Sequence, residues 1–338
     1  MRKQFGLSLV ELMISITLGL VLMAGVLQMF VSSKTVFSTQ QSLSRIQETG
    51  RLAIEFIGKD IRMAGFYGCF RPNPAVNGKA LQNSTLSINS LHSNFAQGIR
   101  GYQKLESLTA AERTYIGPNI KADTNILVLR SASPTPRIIN AANTPLDLSV
   151  YSTQSLQDGC VDGLCINGAA VASDCFRARL FKVSALTPVA NTLTVSHTDT
   201  WAVATDPAVS FTSGEVLPMN TTVYFISTGI SGAPSLWQKV NGSAALEILE
   251  GVESIRYRYA TEQNTTYRLA ETITTDAEWA TVTSVRIEVL VRSMENNVIP
   301  EIQPYTFDGI QVTPPANDRY MRQVFTATIA LRSRAANF

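Results

Sequence analysis

Arg2-Lys3-Gln4-Phe5-Gly6-Leu7-Ser8-Leu9-Val10-Glu11-Leu12 is the stretch on which the reading of this chain turns. Two basic residues lead to a glycine, and an apolar run follows that holds one carboxylate. From Leu7 to Val31, Glu11 is the sole formally charged side chain. As a helix rising about 1.5 Å per residue, that run covers about 37 Å, enough to cross a hydrocarbon core of about 30 Å. A carboxylate inside such a span costs about 2.5–3.5 kcal/mol on insertion scales, so it marks a function.

Three readings compete for this N-terminus. A secretory signal has a shorter apolar stretch and a small-residue cleavage site. Here the stretch is longer, and no such site precedes the polar residues Ser32–Thr35. A plain signal anchor fits the length and leaves Glu11 unexplained. The third reading accounts for both. Gly6-Leu7-Ser8-Leu9-Val10-Glu11-Leu12 resembles the type IV prepilin N-terminal methylation motif, in which a membrane peptidase cuts after the glycine. The resemblance implies leader cleavage between Gly6 and Leu7 and N-methylation of Leu7. It also places Glu11 at the fifth position of the mature chain, where that family keeps a glutamate. Leu7 stands where the family usually has phenylalanine. Because a buried charge needs a partner, the resemblance further implies that Glu11 is an assembly contact, paired with the Leu7 amine of a neighbouring subunit or of its own chain. The alternative is that Glu11 lies near the membrane edge and snorkels to water.

Arg2 and Lys3 precede the span and Lys34 is the next basic residue after it. The positive-inside rule puts the short basic leader in the cytoplasm. The expected localisation is a single-pass inner-membrane protein with a periplasmic domain that later joins a pilus at the cell surface.

The chain has 338 residues, a net charge of +2 and only 16% charged residues. Beyond the first helix about 270 residues remain, enough for one large domain or two small ones. Without a long basic run, nucleic-acid binding by the domain has no electrostatic support. Cys69, Cys160, Cys165 and Cys175 are an even set in a chain expected outside the cytoplasm, which favours disulfides. Zinc is the competing reading, but the spacing lacks a tight C-x2-C pair, and His92 and His197 lie elsewhere in the sequence. Four cysteines allow three pairings, and all remain open at this point. A bridge from Cys69 to the 160–175 loop would staple that loop to the helix.

The helix is expected to continue past the membrane. Leu43, Ile46, Gly50, Ala53, Ile57, Ile61 and Ala64 recur at spacings of three and four. Charged residues decorate the other faces, and the first proline is Pro72. One helix over about 7–64 is predicted, ended by Gly65, Gly68 and Pro72. The expected organisation is a leader (1–6), a transmembrane or assembly half of the helix (7–31), an amphipathic half (32–64) and a β-rich domain (65–338). Within that domain, 65–250 reads as variable loops and strands and 251–338 as a C-terminal sheet. Residues 73–125 read as loop, 125–130 as the first clear strand, 131–144 as loop and 157–175 as a cysteine loop. Strands are predicted at 176–184, 192–197 and 222–227. A hairpin at 235–249 is predicted to turn through Asn241-Gly242, which suits a type I′ turn. In the last third, Ile255, Tyr257 and Tyr259 alternate with Arg256 and Arg258. Val285, Ile287, Val289 and Val291 alternate with Arg286, Glu288, Leu290 and Arg292, and 324–332 closes an antiparallel sheet with one buried face.

The run Leu249–Tyr259, Trp279 with 282–292, the ending Arg322–Phe325 with Leu331–Arg334, and Ala64–Cys69 are similar to the PilW family of type IV pilus minor pilins and to their PulJ/GspJ relatives. The resemblance implies an α+β pilin-like fold, with a long helical spine packed on an antiparallel sheet. It also implies a non-catalytic part in starting pilus assembly, within a priming complex and at the pilus tip, in systems that serve twitching motility. The implied partners are other minor pilins, pilus assembly proteins, the prepilin peptidase and the inner membrane. Two alternatives stand beside it: a J-type minor pseudopilin of type II secretion, and a tip-displayed module for adhesion or DNA uptake. Gln28 occupies the place where major pilins often carry proline, which argues against a bulk filament subunit.

An enzyme finds little support, since no G-x-S-x-G, H-E-x-x-H, P-loop or dinucleotide-binding pattern occurs. Asp158, Asp162 and Asp174 could in principle hold calcium, but their spacing is not an EF-hand and solvated loop acids are the favoured reading. No cofactor or metal is expected. The strand arginines are read as solvent-facing residues paired with acids rather than as a ligand surface.

Overall fold

The computed structural model describes residues 8–71, 82–83, 86, 91–117, 119–198, 201 and 211–332. The helix α1 runs unbroken over Leu9–Met63, 55 residues and about 82 Å. It passes through Gly19, Gly25 and Gln28 without a break. It stops at Gly65, whose φ of +71° a side-chain-bearing residue would rarely adopt, and whose N–H donates to the Arg130 carbonyl at 2.8 Å. The chain divides into two compact units, residues 1–48 with 292–323 and residues 49–291 with 324–338.

In the first unit, the Thr39 hydroxyl donates to the Val298 carbonyl at 3.3 Å, which ties α1 to the 292–323 segment. That segment carries a small hairpin, Tyr305–Phe307 with Ile310–Val312. It turns through Asp308-Gly309, both at positive φ, as a two-residue type I′ turn requires. Arg322 ion-pairs with Asp318 at 2.8 Å and holds that carboxyl below the usual range.

In the second unit, Ala53, Ile57 and Ile61 of α1, and Ala64 just after it, are fully buried. Gly50 leaves room for the Phe325 ring, and Gly58 for the Ile329 side chain. Larger residues there would push the helix off the sheet. Val252–Thr261 pairs antiparallel with Val282–Arg292, and Arg322–Ala330 follows on its far side. Ile255, Tyr257 and Tyr259 stand opposite Val289, Ile287 and Val285, and all six are buried, while Arg256 stands opposite Glu288. The period-two pattern thus yields one buried face and one face of charged cross-strand neighbours.

Among the described residues the larger sheet has eleven strands, organised on Glu215–Thr228. The first residues of that strand pair with Arg137–Ala141 and Ala169–Ser173, and its later ones with Ile126–Ala132 and Pro234–Val240. Leu148, Val150, Phe181, Leu193, Val195 and Trp201 belong to one cluster of its buried core. Two disulfides complete the unit, Cys69–Cys175 and Cys160–Cys165.

Several local expectations are corrected. The segment 73–125 holds a strand, Ile99–Tyr102, and a helix, Ala110–Ile116. That helix is set by a capping box in which Thr109 and Glu112 satisfy each other's backbone N–H groups. Within 131–144 the structure places a strand, Arg137–Ala141, directly after Pro136, where proline's missing N–H costs nothing. The cysteine segment is no plain loop. It contains a two-residue hairpin, Cys160–Val161 with Leu164–Cys165, and the strand Ala169–Ser173. The 235–249 hairpin forms, but Gly242 is not at positive φ and the connection runs over 241–245. Asn241 alone takes φ +52°, and its side-chain oxygen accepts from the Thr221 N–H at 2.8 Å.

Candidate assembly interface

Helix α1 presents its first half bare. Every residue from Ser8 to Ser38 is exposed, among them Leu9, Leu18, Leu22, Leu27, Phe30 and Phe37. An apolar helix surface of this length belongs against lipid or another helix, because water leaves it unsatisfied. Its few polar side chains fit that setting. The Ser15 hydroxyl donates to the Glu11 carbonyl at 2.7 Å, Thr17 to the Met13 and Ile14 carbonyls, and Thr35 to the Val31 carbonyl. These three hydroxyls are satisfied within the helix and carry no unpaired donor into an apolar medium. Around Gly19 and Gly25 nothing lies within 4 Å of an added side chain, so packing inside this chain does not require glycine at either place.

Glu11 lies in the first turn of α1 and is exposed. The turn begins with the Leu12 N–H bonded to the Ser8 carbonyl at 3.1 Å, and the helix dipole there favours a negative charge. Among the described residues the Glu11 carboxylate has no ion-pair partner. Gly6 and Leu7, the predicted cleavage and methylation positions, lie outside the described residues.

The second half of α1 is held by a polar contact that the sequence reading overlooked. The buried Tyr224 hydroxyl donates to Asp60 Oδ2 at 2.7 Å, and Gln238 Nε2 donates to the Tyr224 oxygen at 2.8 Å. Burial raises the pKa of Asp60, against the lowering effect of its bond to Tyr224, and burial raises the Tyr224 phenol as well. The signal was in the heptad spacing: Asp60 falls three residues after Ile57 and seven after Ala53, on the apolar stripe itself.

The other candidate residues fall in structural roles. Asp162 ion-pairs with Arg137 at 2.6 Å and accepts from the Ser152 hydroxyl, and Asp174 ion-pairs with Arg177 at 2.8 Å. His197 is buried and stacked on Trp201, while His92 stacks on Tyr115. Arg256 donates to the Asp123 carbonyl at 2.8 Å. Sequence reasoning also missed Arg130. Its fully buried guanidinium donates to the carbonyls of Leu91 and Gln97, and burial lowers its pKa to about 10.

Residues 1–27 match the family model described as the prokaryotic N-terminal methylation motif, and residues 223–333 match that of type IV pilus-assembly protein W. The chain joins a prepilin-type N-terminus to a PilW-type C-terminal third, the combination expected of a type IV pilus minor pilin. From Leu9 on, the methylation motif lies on the exposed apolar half of α1, which fits membrane anchoring, prepilin peptidase processing and association with other pilus components. The matched C-terminal region takes in the sheet that receives Phe325 and Ile329 against the helix. It starts inside the strand Glu215–Thr228, well before the boundary expected at 251. No curated protein matches the pilin. Among solved structures, a type IV-like pilin from Thermus thermophilus aligns at 13% identity over 50% of this chain and 84% of that one, with a TM-score of 0.23, too low to argue from.

Proposed function

We propose that this minor pilin is a low-copy subunit of the complex that primes pilus assembly, docked to its neighbours through α1. The leader is residues 1–6, Leu7 becomes the methylated N-terminus, and 7–31 is the membrane and assembly half of the helix. Residues 32–64 then carry the 65–338 domain on the periplasmic side of the inner membrane. Its partners are other minor pilins, and its role is non-catalytic. The observation that carries this reading is Glu11: one carboxylate, unpaired among the described residues, at the start of a bare apolar helix. In a low-dielectric setting that charge is tolerated only where a cation meets it, and the methylated amine of a neighbouring subunit supplies one.

The experiment compares wild type with Glu11→Ala and Glu11→Gln in cells lacking the native gene, counting surface pili and measuring co-purification of the other minor pilins. Both variants should process normally at Gly6 and lose most of the co-purified pilins and of the pili. Wild-type recovery of both would overturn the docking role.

A further inference from the structure

A cavity of about 880 Å³ opens in the β-rich unit, within the range of small-molecule sites. Phe95, Ile166 and Met219 give it an apolar lining, while His92 with Tyr115, Asn167, and Asn220 with Asn241 bring polar groups to it. Burial, and secondarily the Arg130 charge, lower the His92 pKa, so its imidazole is neutral at pH 7. Among the described lining residues this leaves Lys182 as the sole formal charge.

The walls are pinned by groups outside the cavity's own chemistry. The Arg130 guanidinium holds the Leu91 and Gln97 carbonyls, and the Thr221 hydroxyl holds the His92 carbonyl at 2.8 Å. The Tyr115 hydroxyl donates to the Asn241 carbonyl. The Cys160–Cys165 disulfide closes the hairpin that brings Cys165 and Ile166 to the lining. The Asn167 N–H donates to the Val183 carbonyl at 2.8 Å, and the Val183 N–H returns to the Gly168 carbonyl at 2.9 Å. These bonds fix the backbone around the site, and the His92 ring and the Asn167 amide remain to line it. Walls fixed before binding lower the ordering cost of binding.

We infer that this cavity binds a neutral sugar ring of a glycan. A sugar ring has apolar C–H faces, which suit Phe95, Met219 and the aromatic pair. Its hydroxyls both donate and accept, as do carboxamides and a neutral imidazole. An anionic ligand would call for more than one cation, and a purely apolar one would strip water from the amides without replacing their hydrogen bonds. This inference goes beyond the assembly role and does not rest on it.

The test is saturation-transfer NMR on the full chain in a sugar-free zwitterionic detergent. The probes are methyl glycosides of glucose, galactose, mannose and N-acetylglucosamine, with methyl glucuronide and a short tyrosine-containing peptide as contrasts. At least one neutral glycoside should receive saturation. Binding should weaken roughly tenfold in His92→Phe and in Asn167→Gly, about the size of one lost hydrogen bond. Phe keeps the stack on Tyr115 and Gly accepts the φ of +67° at 167, so both variants should melt like wild type. Transfer to no neutral glycoside, transfer unchanged in both variants, or transfer confined to the glucuronide or the peptide would each overturn the inference.

Discussion

Asp60 is a charge placed where the apolar stripe of α1 meets the sheet, and that placement sets a pH dependence. Burial keeps its folded pKa above the unfolded value near 3.8, so the folded chain binds the proton more tightly. Between the two values the folded state carries more protons. Stability contributed by this group therefore grows as pH falls through that window and is lost as pH rises above the folded pKa. Asp60→Asn keeps an acceptor for Tyr224 and removes the charge. Thermal melts should show a flatter pH profile between about pH 3 and 7 and a neutral-pH stability within about 1 kcal/mol of wild type. Asp60→Leu should cost about 1–3 kcal/mol, because it leaves the buried Tyr224 hydroxyl without its acceptor. A wild-type pH slope in Asp60→Asn would show that other groups set the profile.

The two disulfides restrain elements to very different degrees. Cys69–Cys175 spans 106 residues and ties the end of α1 to the strand pair beside Ser173, whereas Cys160–Cys165 spans 5 and closes a hairpin. Chain-entropy reasoning gives about 4–5 kcal/mol for the long loop and about 2 kcal/mol for the short one. Cys175→Ser should therefore lower the melting temperature well beyond Cys165→Ser, as differential scanning calorimetry would measure; equal losses would contradict this. The same contrast of local and long-range structure explains what the sequence disclosed. Helix α1 and the sheet around Tyr257 were legible because their patterns are local, three-to-four and period two, and each pattern is itself the burial face. The 65–250 region was less so. Arg137–Ala141 is held by long-range pairing to Val216, which no neighbouring residue announces. The Ala110–Ile116 helix does announce itself, through Thr109 and Glu112, but the scattered polar residues around it mask that signal as loop. Glu11, in the proposed assembly site, was visible because a lone charge in an apolar run is conspicuous. Arg130 was not, since its acceptors are backbone carbonyls 33 to 39 residues away.

At the level of the whole chain, exposed apolar surface concentrates in one place. Among the described residues, eighteen of the large hydrophobic side chains above one-third exposure lie between Leu9 and Phe37, and sixteen of those precede Ser32. Of the rest, Leu43 and Phe56 lie farther along α1, and others, such as Phe176, Ile230 and Leu246, are scattered over the β-rich unit, which is ordinary for a water-facing surface. A chain beginning at Ser32 loses the sixteen and keeps Ala53, Ile57 and Ile61, the part of α1 buried in the β-rich unit. Removing a span of about 37 Å of lipid-type helix takes away the large apolar surface found among the described residues, and leaves the stripe that stabilises the domain. Such a chain should be monodisperse in detergent-free buffer by analytical ultracentrifugation, while the full chain should require micelles. It should also reach its full melting temperature only when refolded under oxidising conditions, since the 106-residue loop closed by Cys69–Cys175 is then restrained. Aggregation of the Ser32 chain without detergent would place a second sticky surface on the domain itself. An unchanged melting temperature in reductant would mean that the helix stripe and the sheet suffice without the covalent tie.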